Sequence, residues 1–237
     1  MSSVFTLCLI AVAAVFQTVC GDSQSAAKPK NSTEAIKARN ETKMDGNNKD
    51  KNAPTLETSF NLRENVLQIE YKVKNSTAKP IYLFNVLWDF DKTGNYVAAP
   101  QPVYAVLRQD KRLHLAKQIL PLPKGRKVEL RLIPFATKVE AGAEFGEKIE
   151  LPVPVAEYNP YFPTNSETKT EIRTSESVFF TIQFIRESDE LEVKPGNLGD
   201  ALFVRHTDIF GNLETLSSKT SAIEVSVKKR TDRFDEF

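Results

Sequence analysis

Val66-Leu-Gln-Ile-Glu-Tyr-Lys-Val-Lys-Asn75 alternates without a break. Leu67, Ile69, Tyr71 and Val73 share one face, and Gln68, Glu70, Lys72 and Lys74 share the other. Successive side chains of a strand point to opposite sides, so this is the pattern of a strand with one buried face. Residues 81–91 read Ile-Tyr-Leu-Phe-Asn-Val-Leu-Trp-Asp-Phe-Asp. Tyr82, Phe84, Val86, Trp88 and Phe90 make one apolar face, while Ile81, Leu83 and Leu87 make the other mainly apolar. That predicts a strand covered on both sides, with Trp88 in the core on the face of Phe84 and Phe90. Between the two runs, Asn75-Ser-Thr-Ala-Lys-Pro80 is a polar connection closed by a proline, which cannot donate into a central ladder. The chain is β.

Working outward, Leu56, Thr58, Phe60 and Leu62 alternate and reach residue 66 through Arg63-Glu64-Asn65, a hairpin by pattern. Residues 103–108 and 112–119 flank Gln109-Asp110-Lys111 as a second hairpin. Val128, Leu130 and Leu132 alternate with Glu129 and Arg131 and predict a further strand, ended by Pro134. More strands are expected within 136–151, with turns at Gly142 and Gly146, and at 178–185, 201–204 and 223–227. The proline-rich 152–163 and the polar 164–174 carry no strand pattern. No window of eleven or more residues shows a helical stripe bounded by caps. The expectation is an all-β, antiparallel β-sandwich of about ten strands over 55–230, followed by a tail at 231–237.

The sequence Leu67-x-Ile-x-Tyr-x-Val-x-Asn75, with Trp88 on the next strand, resembles the immunoglobulin-like and fibronectin-like sandwiches of exported bacterial proteins. The likeness covers most of 55–229 and implies a fold, not an activity. The chain departs from antibody-type domains in lacking the paired cysteines that flank the tryptophan.

Lys+Arg 32 against Asp+Glu 31 leaves a formal charge of +1, so no global field steers the chain to nucleic acid. Both cysteines, Cys8 and Cys20, fall in the first twenty residues, and the only histidines are His114 and His206. Most metal sites and histidine-dependent mechanisms are thereby excluded by inventory, and no cofactor is expected. Residues 4–16 are apolar but for Thr6, roughly 20 Å as a helix and short of a bilayer core. They predict a signal peptide over 1–21, cleaved after Gly21, and a secreted or periplasmic protein. The alternative is a lipoprotein anchored through Cys20, although Gln17 and Val19 depart from the lipobox. Residues 22–54 are too polar to offset ordering entropy and read as a disordered linker. Sequons at Asn31, Asn40 and Asn75 are what an Asn- and Ser/Thr-rich chain carries by chance.

Few residues invite chemistry. Asp89-Phe-Asp91-Lys-Thr-Gly94-Asn95 begins like a calcium loop, but Thr93 and Pro100 stand where ligands are needed, so a hairpin turn with Gly94 left-handed is expected. Asp208-Ile-Phe-Gly211-Asn212 repeats that spacing and suggests the same turn used twice. His114 and His206 read as structural. The strongest candidate is Glu157-Tyr158-Asn-Pro-Tyr161-Phe162-Pro163. Three aromatics in a proline-stiffened loop suit a platform for a protein or sugar, or a plug for one end of the sandwich. The composition therefore points to an exported, non-catalytic binding or structural module, binding through Tyr158, Tyr161 and Phe162. A sandwich glycosidase and a protease inhibitor presenting 158–163 are the alternatives. No nucleic acid is expected, and a membrane only through a lipid anchor.

Overall fold

The computed structural model describes residues 52–125, 127–232 and 237. The expected signal peptide, Cys20 and the linker as far as Lys51 lie outside them. The first hairpin forms as β1 (Thr55–Arg63) and β2 (Val66–Lys74), in antiparallel register from Thr55↔Lys74 to Arg63↔Val66. There follow β3 (Ile81–Val86), β4 (Trp88–Phe90), β5 (Tyr96–Ala98), β6 (Tyr104–Leu107), β7 (Arg112–Lys117), β8 (Phe135–Val139) and β9 (Glu144–Pro152). Then come β10 (Val155–Ala156), β11 (Thr170–Ser175), β12 (Ser177–Arg186), β13 (Glu192–Pro195), β14 (Leu202–Arg205), β15 (Glu214–Ser217) and β16 (Val225–Arg230). The described residues hold sixteen strands and no helix.

β1, β2 and β9 form one sheet with β2 in the middle. A larger sheet runs β13-β14-β8-β3-β12-β7-β6, with β15 also paired to β12. Smaller sheets are β10-β16-β11 and the hairpin β4-β5. At Thr181 and Ile182, β12 meets β7 on one side and β15 on the other; at Phe184 it meets β3 and β15. β7 and β3 therefore follow one another along the same edge of β12.

The alternation of β2 has the predicted consequence. Leu67, Ile69, Tyr71 and Val73 are buried with Ile149 and Leu151 of β9, against Leu83, Leu115, Phe180, Ile182 and Phe184 of the large sheet. Each such residue contributes roughly 1.5–3 kcal/mol, which makes this interlayer cluster the main source of stability. β3 is covered on both faces as expected. Ile81 and Leu83 enter that cluster, while Tyr82 and Phe84 pack beneath Ile119, Ile185, Val204 and Ile209. Asn75 secures the crossing between the layers. Its side-chain amide lies 2.9–3.1 Å from the carbonyls of Lys79, Val139 and Glu140, and its backbone pairs with Gly142 and Ala143. Its sequon is thus consumed by the fold.

Several expectations need correction. The count of about ten strands falls short, because long runs divide and seven of the strands have only two to four residues. Pairing is not purely antiparallel. β7 lies parallel to β12, and β10 to β16. Each of these pairs is separated by dozens of residues, enough for the crossover that parallel pairing needs. The run 81–91 is two strands. The register with β8 shifts between Leu83 and Val86, so Trp88 leaves Phe84 and packs with Phe135 and Ala201, while Phe90 is 42% exposed. Residues 128–132 form no strand, whereas 170–175, read as unpatterned, form β11. Thr231 donates to the Lys169 carbonyl, and the Phe237 ring lies 5.0 Å from His114.

Candidate functional site

The aromatic loop is a plug. Glu157 is buried, and its carboxylate accepts the backbone N–H of Leu107 at 2.8 Å and of Arg230 at 2.7 Å. Tyr158 and Ala105 exchange backbone hydrogen bonds at 2.8 and 3.1 Å. Asn159 turns the chain by accepting the Tyr161 N–H at 3.0 Å, and Arg230 donates to the Phe162 carbonyl. These bonds drive the rings inward, leaving Tyr161 8% and Phe162 3% exposed among Leu87, Tyr104, Ala116 and Leu120, with Tyr158 half-buried beside them. The expected exposed platform at Tyr158, Tyr161 and Phe162 is therefore corrected. Burial pushes the Glu157 carboxyl above the usual carboxylate range, with the two N–H bonds and nearby cations opposing it.

A second cluster was not singled out by sequence. Glu147 falls on the inner face of β9, in the apolar row Phe145, Ile149, Leu151. Lys117, at the end of β7 in the other layer, answers it. The Lys117 ammonium donates to both Glu147 oxygens and to the Asn85 carbonyl, each at 2.8 Å. The Tyr71 hydroxyl donates to Glu147 Oε2 at 2.5 Å. Burial lowers the Lys117 pKa, and the Glu147 carboxylate opposes the shift; burial first, then Glu147, raises that of Tyr71. A cavity of about 400 Å³ opens beside the pair. All three ammonium protons are in use, so the group is an ionic strut between layers and not a poised nucleophile.

The histidines and aspartates are equally committed. His114 stacks on Phe179 at 4.3 Å with Nε2 2.8 Å from Thr181 Oγ1, and burial lowers its pKa to about 4. His206 Nδ1 accepts the Asp208 N–H at 3.0 Å, which directs Nε2 toward Glu190 at 3.5 Å. Asp91 accepts from the Thr93 hydroxyl and from the backbone of Thr93 and Asn95, and these bonds hold its carboxyl at about 2. Gly94 has φ 84°, as the hairpin reading requires.

The second turn uses its glycine differently, which corrects the expectation of one turn used twice. At Gly211 an added Cβ would meet the Asp208 carboxylate, whose Oδ1 accepts the Gly211 N–H at 3.0 Å. Asn212 closes the turn onto the Asp208 carbonyl at 2.8 Å. Ile209 is drawn into the core, and Phe210 is left 49% exposed.

Phe210 helps line a groove of about 590 Å³ with Leu122, Leu213, Gln118, Gln183 and Arg131. The Arg131 guanidinium lies over the Phe210 ring, 4.2 Å from its centroid. Leu122 is 43% exposed, and Leu130 beside Arg131 is 51% exposed. The segment 118–134 that carries these residues is a long strandless connection, held from below. The Tyr161 hydroxyl accepts the Leu132 N–H at 3.0 Å, and Trp88 Nε1 donates to the Ile133 carbonyl at 2.7 Å. The plug thus supports the face that the sequence reading missed. An available signal was local charge. Lys124, Arg126, Lys127 and Arg131 stand against Glu129 alone within 118–134, an excess hidden in a total of +1.

Among the described residues, no three His, Cys, Asp or Glu side chains gather to hold a metal ion. Comparison of the chain with family models, with curated proteins and with solved structures returns no match.

Proposed function

We propose that this chain is an exported, non-catalytic binding module of the cell envelope or extracellular space, with an immunoglobulin-like sandwich as its scaffold. Export rests on the apolar run 4–16 and the polar residues that follow it. The single observation that carries the binding reading is the groove, where Leu122 and Phe210 stand exposed beside Arg131, on a connection whose Leu132 and Ile133 are hydrogen-bonded to Tyr161 and Trp88. Large apolar side chains left in water around a cation mark a contact face, and long irregular connections are where such scaffolds place function. The ionisable groups of the interior point the same way, since Lys117, Glu157 and His114 are engaged in holding layers together. The partner is a protein or polysaccharide of the same compartment.

The test is retention of the full chain by an envelope or extracellular fraction. Phe210→Ser combined with Leu122→Ser is expected to abolish retention while leaving the denaturation midpoint nearly unchanged. Full retention by a stably folded double variant contradicts the assignment of this face.

A further inference from the structure

We propose that the 118–134 face docks directly on an anionic phospholipid surface, with Leu122 and Leu130 entering the acyl boundary and Lys124, Lys127 and Arg131 meeting headgroup phosphates. The proposal rests on this face being the contact face of the module, and adds a partner class to it.

The charge pattern selects an anion. None of the residues lining the groove is acidic, and Arg131 supplies its one cation. Lys124 and Lys127 are exposed in the same connection, and its sequence holds four cations against Glu129. The apolar pattern selects among anions. Leu122, Leu130 and Phe210 are among the most exposed large apolar residues described, and a polysaccharide would leave the two leucines in water. A lipid interface takes leucines and cations side by side, because acyl chains and phosphates lie within a few ångströms of each other and lysine stems reach from one to the other. An acidic peptide is less well served, because the described residues of 118–134 offer no strand edge for it to extend.

The experiment is co-sedimentation of the exported form expected from cleavage after Gly21, residues 22–237, which carries neither Cys20 nor the apolar run 4–16, with two kinds of vesicle. One is phosphatidylcholine alone and the other is phosphatidylcholine mixed with phosphatidylglycerol. Binding is expected only to the mixed vesicles and is expected to weaken as salt is raised. Lys124→Gln with Lys127→Gln should weaken it by about tenfold or more. Leu122→Ser with Leu130→Ser should do the same, by about tenfold or more, with an unchanged denaturation midpoint. Leu130→Ser alone is the second variant if the pair unfolds, with a smaller loss in the same direction.

Equal binding to both vesicles, no binding to either, or leucine variants that bind like the parent would each overturn the proposal. So would capture on a carboxylated polysaccharide matrix without vesicle binding. If vesicle binding fails while the Phe210→Ser, Leu122→Ser variant still loses envelope retention, the module reading stands and only the lipid is wrong.

Discussion

The outer face of the β1-β2-β9 sheet and the 118–134 face differ in how completely each satisfies itself. On the sheet, Lys72 and Lys74 reach Glu144 at 3.4 and 3.8 Å, Lys148 reaches Glu150 at 3.2 Å, and Gln68 donates to Glu150 at 3.1 Å. Lys72, Lys74 and Lys148 are thus paired with carboxylates, and Gln68, Glu70, Lys72 and Lys74 of β2 present polar side chains outward. Such exposed pairs add little stability. The 118–134 face instead exposes Leu122 and Leu130, with Phe210 beside Arg131. One surface is polar and largely ion-paired, the other carries exposed apolar side chains, and the proposed contact face rests on that contrast.

The largest effect expected lies in the closed interior. Tyr158, Tyr161 and Phe162 replaced together by Ala should unfold the domain. Each buried aromatic costs about 3–5 kcal/mol, and a domain's whole stability is only about 5–15 kcal/mol. A folded triple variant would return these rings to the surface and blur the distinction between the two regions. Next, Glu147→Ala should cost about 3–5 kcal/mol by stranding the Lys117 ammonium, whereas Lys117→Met with Glu147→Leu should cost much less. Equal losses in denaturant melts would mean that the pair is not the strut inferred here.

A smaller effect follows pH. His114 is buried near Arg108 and Arg112, and its pKa is held at about 4 against about 6.5 in the unfolded chain. The unfolded state therefore binds a proton in this window that the folded state refuses, and stability falls as pH drops from about 6.5 to 4. The loss is about 3 kcal/mol. His114→Gln should remove this part of the pH dependence while leaving that of the carboxylates. A variant whose stability tracks the parent through the window contradicts it.

What the sequence could reveal follows from how local each cause is. The faces of β2 and the double burial of β3 were legible because alternation is fixed by neighbouring residues. The break after Val86 was not, because a register shift against β8 moves Trp88 to another cluster while the apolar run continues. Residues 128–132 show the converse. Their alternation is real, but Leu130 faces solvent and no strand forms between prolines. β11 escaped because Thr170–Ser175 is nearly all exposed and owes its place to backbone pairing with β16. The burial of Tyr161 and Phe162 depends on Leu107 and Arg230, fifty and more residues away. The groove joins segments near 122, 131 and 210, so no window of sequence contains it.

The most direct test sets the two faces side by side in one retention experiment. Phe210→Ser with Leu122→Ser on the open face is compared with Glu70→Gln, Lys72→Gln and Lys148→Gln on the closed one. Both sets alter exposed side chains, so both should move stability by no more than about 0.5 kcal/mol per site. The open-face variant is expected to lose retention on the envelope fraction, and the closed-face variant to keep it. The opposite result, loss of retention on neutralising the sheet with the groove variant still bound, would place the contact surface on β1-β2-β9 and contradict the central claim.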